Sequence, residues 1–418
     1  MNVVDLAEHG PARSVPLNDT IGRALAASRA VDAVPDPYLP GQWRLKAGRT
    51  VGIFSVTVPG EPRVTVRITP KVTIARLLFL LGYARDPKGW RTDDVTVSAE
   101  NDLLPAIARL FERQAEAALQ QGVIQGYRPT EETSVVVRGR MRNADQIRRH
   151  HGRFFPLEIT HDDYTVDIPE NQLLATACER LARLPHGIPR EVRARLLRLR
   201  ALLADVTALT RGHDLPRWYP TRLNARYHAA LRLAELALRG SSVEHLAGDV
   251  TISGFLFDMA RVFEDFLSAA LCTALAPHGG RCVLQASRHL DEDDAIRIVP
   301  DFLYVSEDGR PVAVADADAK YKAEKPEGYP DADLYQMLAY CTALGLDEGH
   351  LIYAKGNGPH AAHRVRRAGV TIHQHALDLD QPPAAILAEV QVFALNHLAK
   401  MTPTAAAHRG IAAAVNLR

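Results

Sequence analysis

The sequence predicts an α/β chain: an N-terminal mixed β-containing domain over residues 1–170, a helical connector over 171–250 and a C-terminal core of αβββαβ order over 251–400, with a tail at 401–418. Three observations carry this reading. Between 50 and 72 the residues alternate or are β-branched, at the strand period. From Asn171 to Gly240 the pattern is helical and rich in arginine. Beyond Gly254, segments of helical and strand character follow one another.

Each element has its own signal. Val51–Val58 and Arg63–Ile68 read as strands joined by the turn Pro59-Gly60-Glu61-Pro62. Ile74–Tyr83 reads as a helix. Asp102–Gln121 reads as a longer one, with Leu103, Ile107, Leu110, Phe111 and Ala115 on one face and Gly122 beyond its end. Ser134–Arg140 reads as a strand. Gly187-Ile188-Pro189 and the stretch His213–Pro216 interrupt the helical connector. In the C-terminal core, Phe255–Leu275 reads as a helix and Cys282–Ala286 as a short strand. Ile296–Val305 and Pro311–Lys320 form a hairpin across Ser306–Arg310. Ala332–Leu344 is a helix, and His350–Lys355 is a strand. Residues 1–45 are rich in Pro and Ala, with weak periodicity and no assigned element.

Composition narrows the class. The chain has 418 residues, enough for two or three domains, and 47% of them are hydrophobic. A net charge of +1 means that any nucleic-acid contact must come from local basic patches. Cys178, Cys272, Cys282 and Cys341 form no CxxC pair, which argues against a zinc ribbon or a disulfide framework and fits a reducing compartment. Met1–Gly10 has no basic region of the kind that opens a signal peptide. No apolar run approaches the roughly 20 residues that span a bilayer. The expectation is a soluble, cytoplasmic protein.

The chemistry concentrates in Val299-Pro300-Asp301-Phe302 and Asp316-Ala317-Asp318-Ala319-Lys320. Side chains alternate across a strand, so Val312, Val314, Asp316, Asp318 and Lys320 share one face and Ala313, Ala315, Ala317 and Ala319 the other. The alanine face suits close packing against a helix. The opposite face ends in two carboxylates and an amine. Acids from adjacent strands can hold Mg²⁺, which prefers carboxylate oxygens, and a lysine one alternation further can orient water and neutralise developing charge. That set suits phosphodiester hydrolysis. An Asp-x-Lys alone is common and carries no assignment. Here it sits behind a Pro-Asp strand, between a helix with Glu264 and a helix with Gln336, which is the element order of the PD-(D/E)XK (restriction-endonuclease-like) core. Gln336-Met337-Leu338-Ala339-Tyr340 resembles the Q-x-x-x-Y pattern of its RecB-like branch, with Gln336 and Tyr340 on one helical face.

At these residues the sequence resembles the McrC family, the nuclease subunits of McrBC-type modification-dependent (type IV) restriction systems. The resemblance covers roughly residues 45–400. It rests on Phe255-Leu256-Phe257-Asp258-Met259 with Phe263-Glu264, on Pro300-Asp301, on Asp318-Ala319-Lys320-Tyr321-Lys322 and on Asp333–Tyr340. In the N-terminal half it rests on Ile68-Thr69-Pro70-Lys71, Arg138-Gly139-Arg140 and the Asp163–Asn171 segment ending Pro169-Glu170-Asn171. It implies Asp301 and Asp318 as metal ligands, Lys320 as the catalytic lysine, Glu264 as an additional acid and Gln336 as a supporting residue. It implies Mg²⁺, with Mn²⁺ able to substitute, and double-stranded DNA as the substrate. The implied role is phage defence alongside an McrB-like AAA+ GTPase hexamer whose hydrolysis the subunit stimulates. No lysine here is followed by Ser or Thr, so the sequence holds no P-loop, and an NTP motor, if one is involved, is another chain. The alternatives are a non-catalytic activator of an AAA+ ring, or a RecB-like nuclease of repair or phage defence without a GTPase.

Other residues carry weaker signals. Arg138, Arg140, Arg142, Arg148, Arg149 and Arg153, with His150 and His151, suit either phosphate contacts or a solvated face. Arg190, Arg193, Arg195, Arg198 and Arg200 read as a solvated helix face. Lys71 reads as a strand-end residue, and Asp316 as a neighbour of the ligands rather than a ligand. His360, His363, His373 and His375 lack cysteines and ordered spacing, and are not read as a zinc site.

Overall fold

The computed structural model describes residues 2–85, 87, 102–151, 153–184, 187–210, 212–246, 250–316, 331–354 and 361–399. They form a mixed α/β structure of two compact units. One comprises Met1–Asn101, His245–Ile252 and Leu256–Arg418, and the other Asp102–Glu244 with Ser253–Phe255. The boundaries expected from the sequence lie at 170 and 250, whereas the compact units part near 102 and 245.

The first unit opens with β1 (Asn2–Ala7), β2 (Arg13–Pro16), α1 (Asp19–Ala27), β3 (Val31–Pro35), β4 (Gln42–Ala47), β5 (Thr50–Thr57), β6 (Val64–Thr69) and α2 (Ile74–Arg85). Residues 1–45, given no element above, are therefore largely structured. The side chain of Asn18 caps α1 by accepting from Ile21 N at 2.9 Å. In β4, Trp43, Leu45 and Ala47 are buried while Arg44 and Lys46 point out. Gly22 lets α1 lie on the Trp43 ring, since a Cβ there would fall 2.0 Å from Cε2 of the indole. The expected β5–β6 hairpin forms, with Gly52 opposite Ile68 and Val56 opposite Val64. β1 joins β6 in parallel.

The second unit contains α3 (Leu103–Leu119), β7 (Gly126–Ser134), β8 (Arg140–Met141), α4 (Asn143–His150), β9 (Leu157–Thr165), α5 (Pro169–Arg183), α6 (Arg190–Leu202) and α7 (His228–Gly240). α3 packs against α6 and α7, and α5 packs against α6 and α7, burying Leu173, Leu174, Ala177, Cys178, Leu181 and Leu196. Of the expected strand Ser134–Arg140, residues 135–139 are instead a loop between β7 and β8, both of which pair with β9. Gly139 enforces this: its φ is 69°, and a Cβ there would sit 2.2 Å from Thr160 O. Asn171, fully buried, ties the start of α5 to Ile124 O at 2.8 Å and Val166 O at 2.7 Å. The segment Pro169-Glu170-Asn171 thus has a structural task.

The chain returns to the first unit through β10 (Ser241–Leu246), β11 (Val250–Asp258) and α8 (Met259–Leu275). The helix expected from Phe255 begins only at Met259. β11 continues the sheet β1-β6-β5-β11-β10 up to Asp258, whose side chain caps α8 at Ala260 N (3.0 Å) and pairs with Arg49 at 2.9 Å. Then follow β12 (Arg281–Leu284), β13 (Arg288–His289), β14 (Arg297–Ile298), β15 (Phe302–Val305), β16 (Pro311–Asp316), α9 (Asp331–Leu344), β17 (Glu348–Ala354), β18 (Ala361–Arg364), β19 (Thr371–Leu377) and α10 (Pro383–Phe393), which ends in a π-helical turn, Ala394–Leu398. The expected strand Ile296–Val305 is split into β14 and β15, because Pro300 has no N–H to give a ladder. Residues 317–320 of the expected strand Pro311–Lys320 lie outside the described residues.

These strands form a six-stranded sheet of order β12-β15-β16-β17-β19-β18. β12, β15 and β16 are antiparallel neighbours, and β17 runs parallel to β16 and β19. One face carries Leu303, Val305, Val314, Leu351, Tyr353 and Ile372, which pack with Met337, Tyr340 and Cys341 of α9. On the other, α10 packs on β19 and on α8, and α8 packs in turn on α2 through the Phe79–Phe266 edge contact at 5.4 Å. Gly349 lets α9 approach β17: a Cβ there would stand 2.6 Å from Cys341 Sγ and from Met337 Sδ. Gly349→Ala is therefore expected to cost about 1–3 kcal/mol by overpacking. A lowered thermal midpoint of the full chain is the readout, and an unchanged midpoint would mean that α9 is not held against β17 at this point.

Candidate functional site

β12 and β15 place two polar residues side by side. Leu284 pairs with Phe302, so Gln285, one past β12, meets Asp301, one before β15. The backbone N–H of Gln285 donates to Asp301 O at 3.1 Å, and its φ of 48° ends the strand there. Its side-chain amide donates to Asp301 Oδ1 at 2.7 Å and to Glu264 Oε1 of α8 at 2.6 Å. Both amide hydrogens are thus committed to carboxylates. Partial burial raises the Glu264 carboxyl, the negative charge of Asp301 raises it further, and the Gln285 bond only partly offsets this, leaving it pushed up to about 7.

α9 fixes the backbone from which Asp301 projects. Tyr340, buried, donates its hydroxyl to Val299 O at 3.2 Å and accepts from Gln336 Nε2 at 2.6 Å. Gln336 and Tyr340 thus form one latch on the segment that leads through Pro300 to Asp301. Asp316, buried at the end of β16 beside Leu351, lies on the α9 face with Val314. Of the expected site residues, the structure brings Glu264 and Asp301 together and sets Gln336 one step back, acting through Tyr340. Asp318 and Lys320 lie outside the described residues. Gln285 was not foreseen. It belongs to no spacing pattern, and only the register of β12 against β15 reveals it.

The acidic pair fits a hard divalent cation, because carboxylate oxygens are its preferred ligands and a cation would relieve the repulsion that raises Glu264. Loading would then release the Glu264 proton.

The other sequence candidates resolve differently. Glu158, only 1% exposed, gathers Arg142 at 2.9 Å, Arg149 at 3.0 Å and His150 at 2.9 Å. Arg138 pairs with Glu132, and Arg148 and Arg142 with Asp145. Much of this basic cluster is thus matched within the chain, while Arg140 and Arg153 are exposed. Along α6, Arg193 donates to Ala182 O and Leu184 O, Arg195 pairs with the buried Glu112, and Arg200 donates to Leu203 O. That face braces neighbouring segments rather than simply meeting solvent. Lys71 N donates to Glu8, whose burial pushes its carboxyl up to about 7. His360 lies outside the described residues, and His363 bonds Gln374 on the α9 side of the sheet.

Comparison with known proteins assigns the family. A family model described as McrBC 5-methylcytosine restriction system component matches residues 45–354. The chain belongs to this family. Among solved structures, one is similar over 94% of this chain and 99% of its own, at 16% identity and a TM-score of 0.56. It is the refined half-complex from a tetradecameric assembly of Thermococcus gammatolerans McrB AAA+ hexamers with bound McrC. This likeness is one of fold. The cryo-EM structure of the Thermococcus gammatolerans McrBC complex also matches, over 66% of this chain and 88% of that one, at 18% identity and a TM-score of 0.37. The comparison with curated proteins found no match. Among the described residues, no helix is long and apolar enough to cross a membrane.

The raised carboxyl of Glu264 sets a pH dependence. Its folded value of about 7 lies above its ordinary 4.5, so its contribution is fully present below about pH 4.5 and is lost as pH rises through about 7. Without divalent cations, the thermal midpoint of the full chain is expected to fall between about pH 5 and about pH 8, and to fall less in Glu264→Gln. Identical pH profiles for the two proteins would remove Glu264 from this balance.

Proposed function

We propose that this chain is the nuclease subunit of a GTP-driven, modification-dependent restriction complex. It cuts double-stranded DNA with Mg²⁺, or with Mn²⁺ in its place, and stimulates the GTPase of a partner AAA+ hexamer. The carrying observation is the Gln285-bridged pair Glu264–Asp301 in a member of the McrBC family. The order α8-β12-β15-β16-α9-β17 supports a PD-(D/E)XK reading of the core. The solved relative with McrB AAA+ hexamers, together with the missing P-loop, supports a separate motor.

In this reading Asp301, Asp318 and Glu264 hold the cation. Bound Mg²⁺ supplies Lewis-acid polarisation of the phosphate and a lowered pKa of water. Lys320 orients the attacking water and neutralises charge developing on the phosphate. Gln285 sets the spacing of Glu264 and Asp301, and Gln336 and Tyr340 hold the Val299 backbone that delivers Asp301.

The test uses the full chain with its AAA+ partner, GTP, Mg²⁺ and DNA containing 5-methylcytosine. Cleavage is expected, and EDTA should abolish it. Asp301→Asn, Asp318→Ala and Lys320→Ala should each lower cleavage on the order of 100-fold or more, with stimulation of GTP hydrolysis retained. Near-normal cleavage by any of the three purified variants would sink that residue's assignment, and full activity in EDTA would sink the metal requirement.

A further inference from the structure

The side of the central sheet facing away from α9 gathers histidines that are distant in sequence. β17 and β19 are parallel, with His350 opposite His373 and Ile352 opposite His375. All four side chains therefore leave the same face. The π-helical turn after α10 brings His397 onto that face, its ring centroid 4.9 Å from that of His375 and 5.3 Å from that of His350. Ring nitrogens of His350, His375 and His397 all lie within 4.8 Å of one another, and His350 Nδ1 and His375 Nε2 share a hydrogen bond of 3.2 Å that a bound ion would replace. His350 is fully buried, and Phe393 packs edge-on to both His350 and His375.

We propose that His350, His375 and His397 form a transition-metal site, of the kind that takes Zn²⁺, separate from the carboxylate centre. Three lines converge on it. Zn–N bonds of about 2.0–2.1 Å in tetrahedral geometry put neighbouring ligand nitrogens about 3.3 Å apart, close to the His350–His375 separation. Imidazole nitrogens suit Zn²⁺, Cu²⁺ and Ni²⁺, whereas Mg²⁺ prefers oxygen, so the two centres select different ions. Single π-helical turns occur often at functional sites, and this one carries His397.

The environment fits a three-histidine set with a fourth position for water or a further ligand. His375 and His397 line a cavity of about 500 Å³, together with Leu267, Ile352, Glu389 and Asn396. An ion held by them would face that cavity, whose lining includes the polar side chains of Glu389 and Asn396. Behind the set, the His373 ring stacks on His350 at 5.1 Å and 20°, and its Nε2 lies 3.7 Å from the Glu348 carboxylate.

The experiment uses the full chain without a histidine tag, stripped with chelator and titrated with Co²⁺ as a spectroscopic substitute for Zn²⁺. The wild type is expected to bind one equivalent that gives visible absorption of tetrahedral type, distinct from any weakly absorbing Co²⁺ at the carboxylates, and Zn²⁺ should displace that equivalent and raise the thermal midpoint. His375→Gln and His397→Gln should weaken Co²⁺ binding by about 100-fold or more, while Asp301→Asn leaves it unchanged. X-ray absorption of the zinc-loaded wild type reads the ligands directly, whether or not the variants fold, and an imidazole-rich shell is expected. An all-oxygen shell, unaltered binding in both histidine variants, or loss of binding in Asp301→Asn would each overturn the proposal.

Discussion

Two carboxylates held partly out of water repel one another, and the end of the C-terminal sheet is organised around that repulsion. Glu264 comes from a helix and Asp301 from the start of a strand, and the amide of Gln285 stands between them, donating to both. Partial burial, and then the nearby charge of Asp301 that a single neutral amide cannot cancel, push the Glu264 carboxyl up to about 7. In the proposed function, a cation bound there would supply the charge that the amide cannot. Everything around it fixes position. Pro300 interrupts the strand, and Tyr340 holds Val299 from the other side of the sheet. β12 then sets Gln285 level with Asp301.

The sheet separates two kinds of chemistry because each strand alternates. On the α9 side the core is aliphatic and aromatic, and its polar members act on the acidic end of the sheet through the Gln336–Tyr340 latch. On the opposite side, β17 and β19 turn His350, His373 and His375 toward α10 and its π-helical turn. Hard oxygens gather at the ends of β12 and β15, and softer nitrogens on the face of β17 and β19. The same backbone ladder thus presents two ligand classes with different ion preferences.

The second unit shows how a run of basic residues can mislead. Between Arg138 and Arg153 the sequence is densely cationic, yet Glu131, Glu132, Asp145 and the buried Glu158 answer many of those charges. Burying Glu158 requires such partners, since an unpaired buried carboxylate is costly. The arginines of α6 likewise serve backbone carbonyls and the buried Glu112. Charge counted along a sequence takes no account of what folds back upon it.

The sequence by itself determined the elements whose periodicity is long or whose punctuation is strong: the β5–β6 hairpin, α3, the β15–β16 hairpin and α9, together with the acidic candidates Glu264 and Asp301 and the pairing of Gln336 with Tyr340 on one helical face. Local pattern failed where tertiary contacts chose between options. The short strands of residues 1–45 take shape by packing Trp43 against Gly22, and the stretch before Met259 stays extended because β11 has a sheet to join. Val135–Val137, β-branched and strand-like in isolation, remain exposed because β7 and β8 already occupy β9. Gln285 at the acidic pair and His350 and His397 beside His375 were legible only in the fold. Their juxtaposition depends on strand register and on where α10 ends, and neither leaves a periodic mark on the chain.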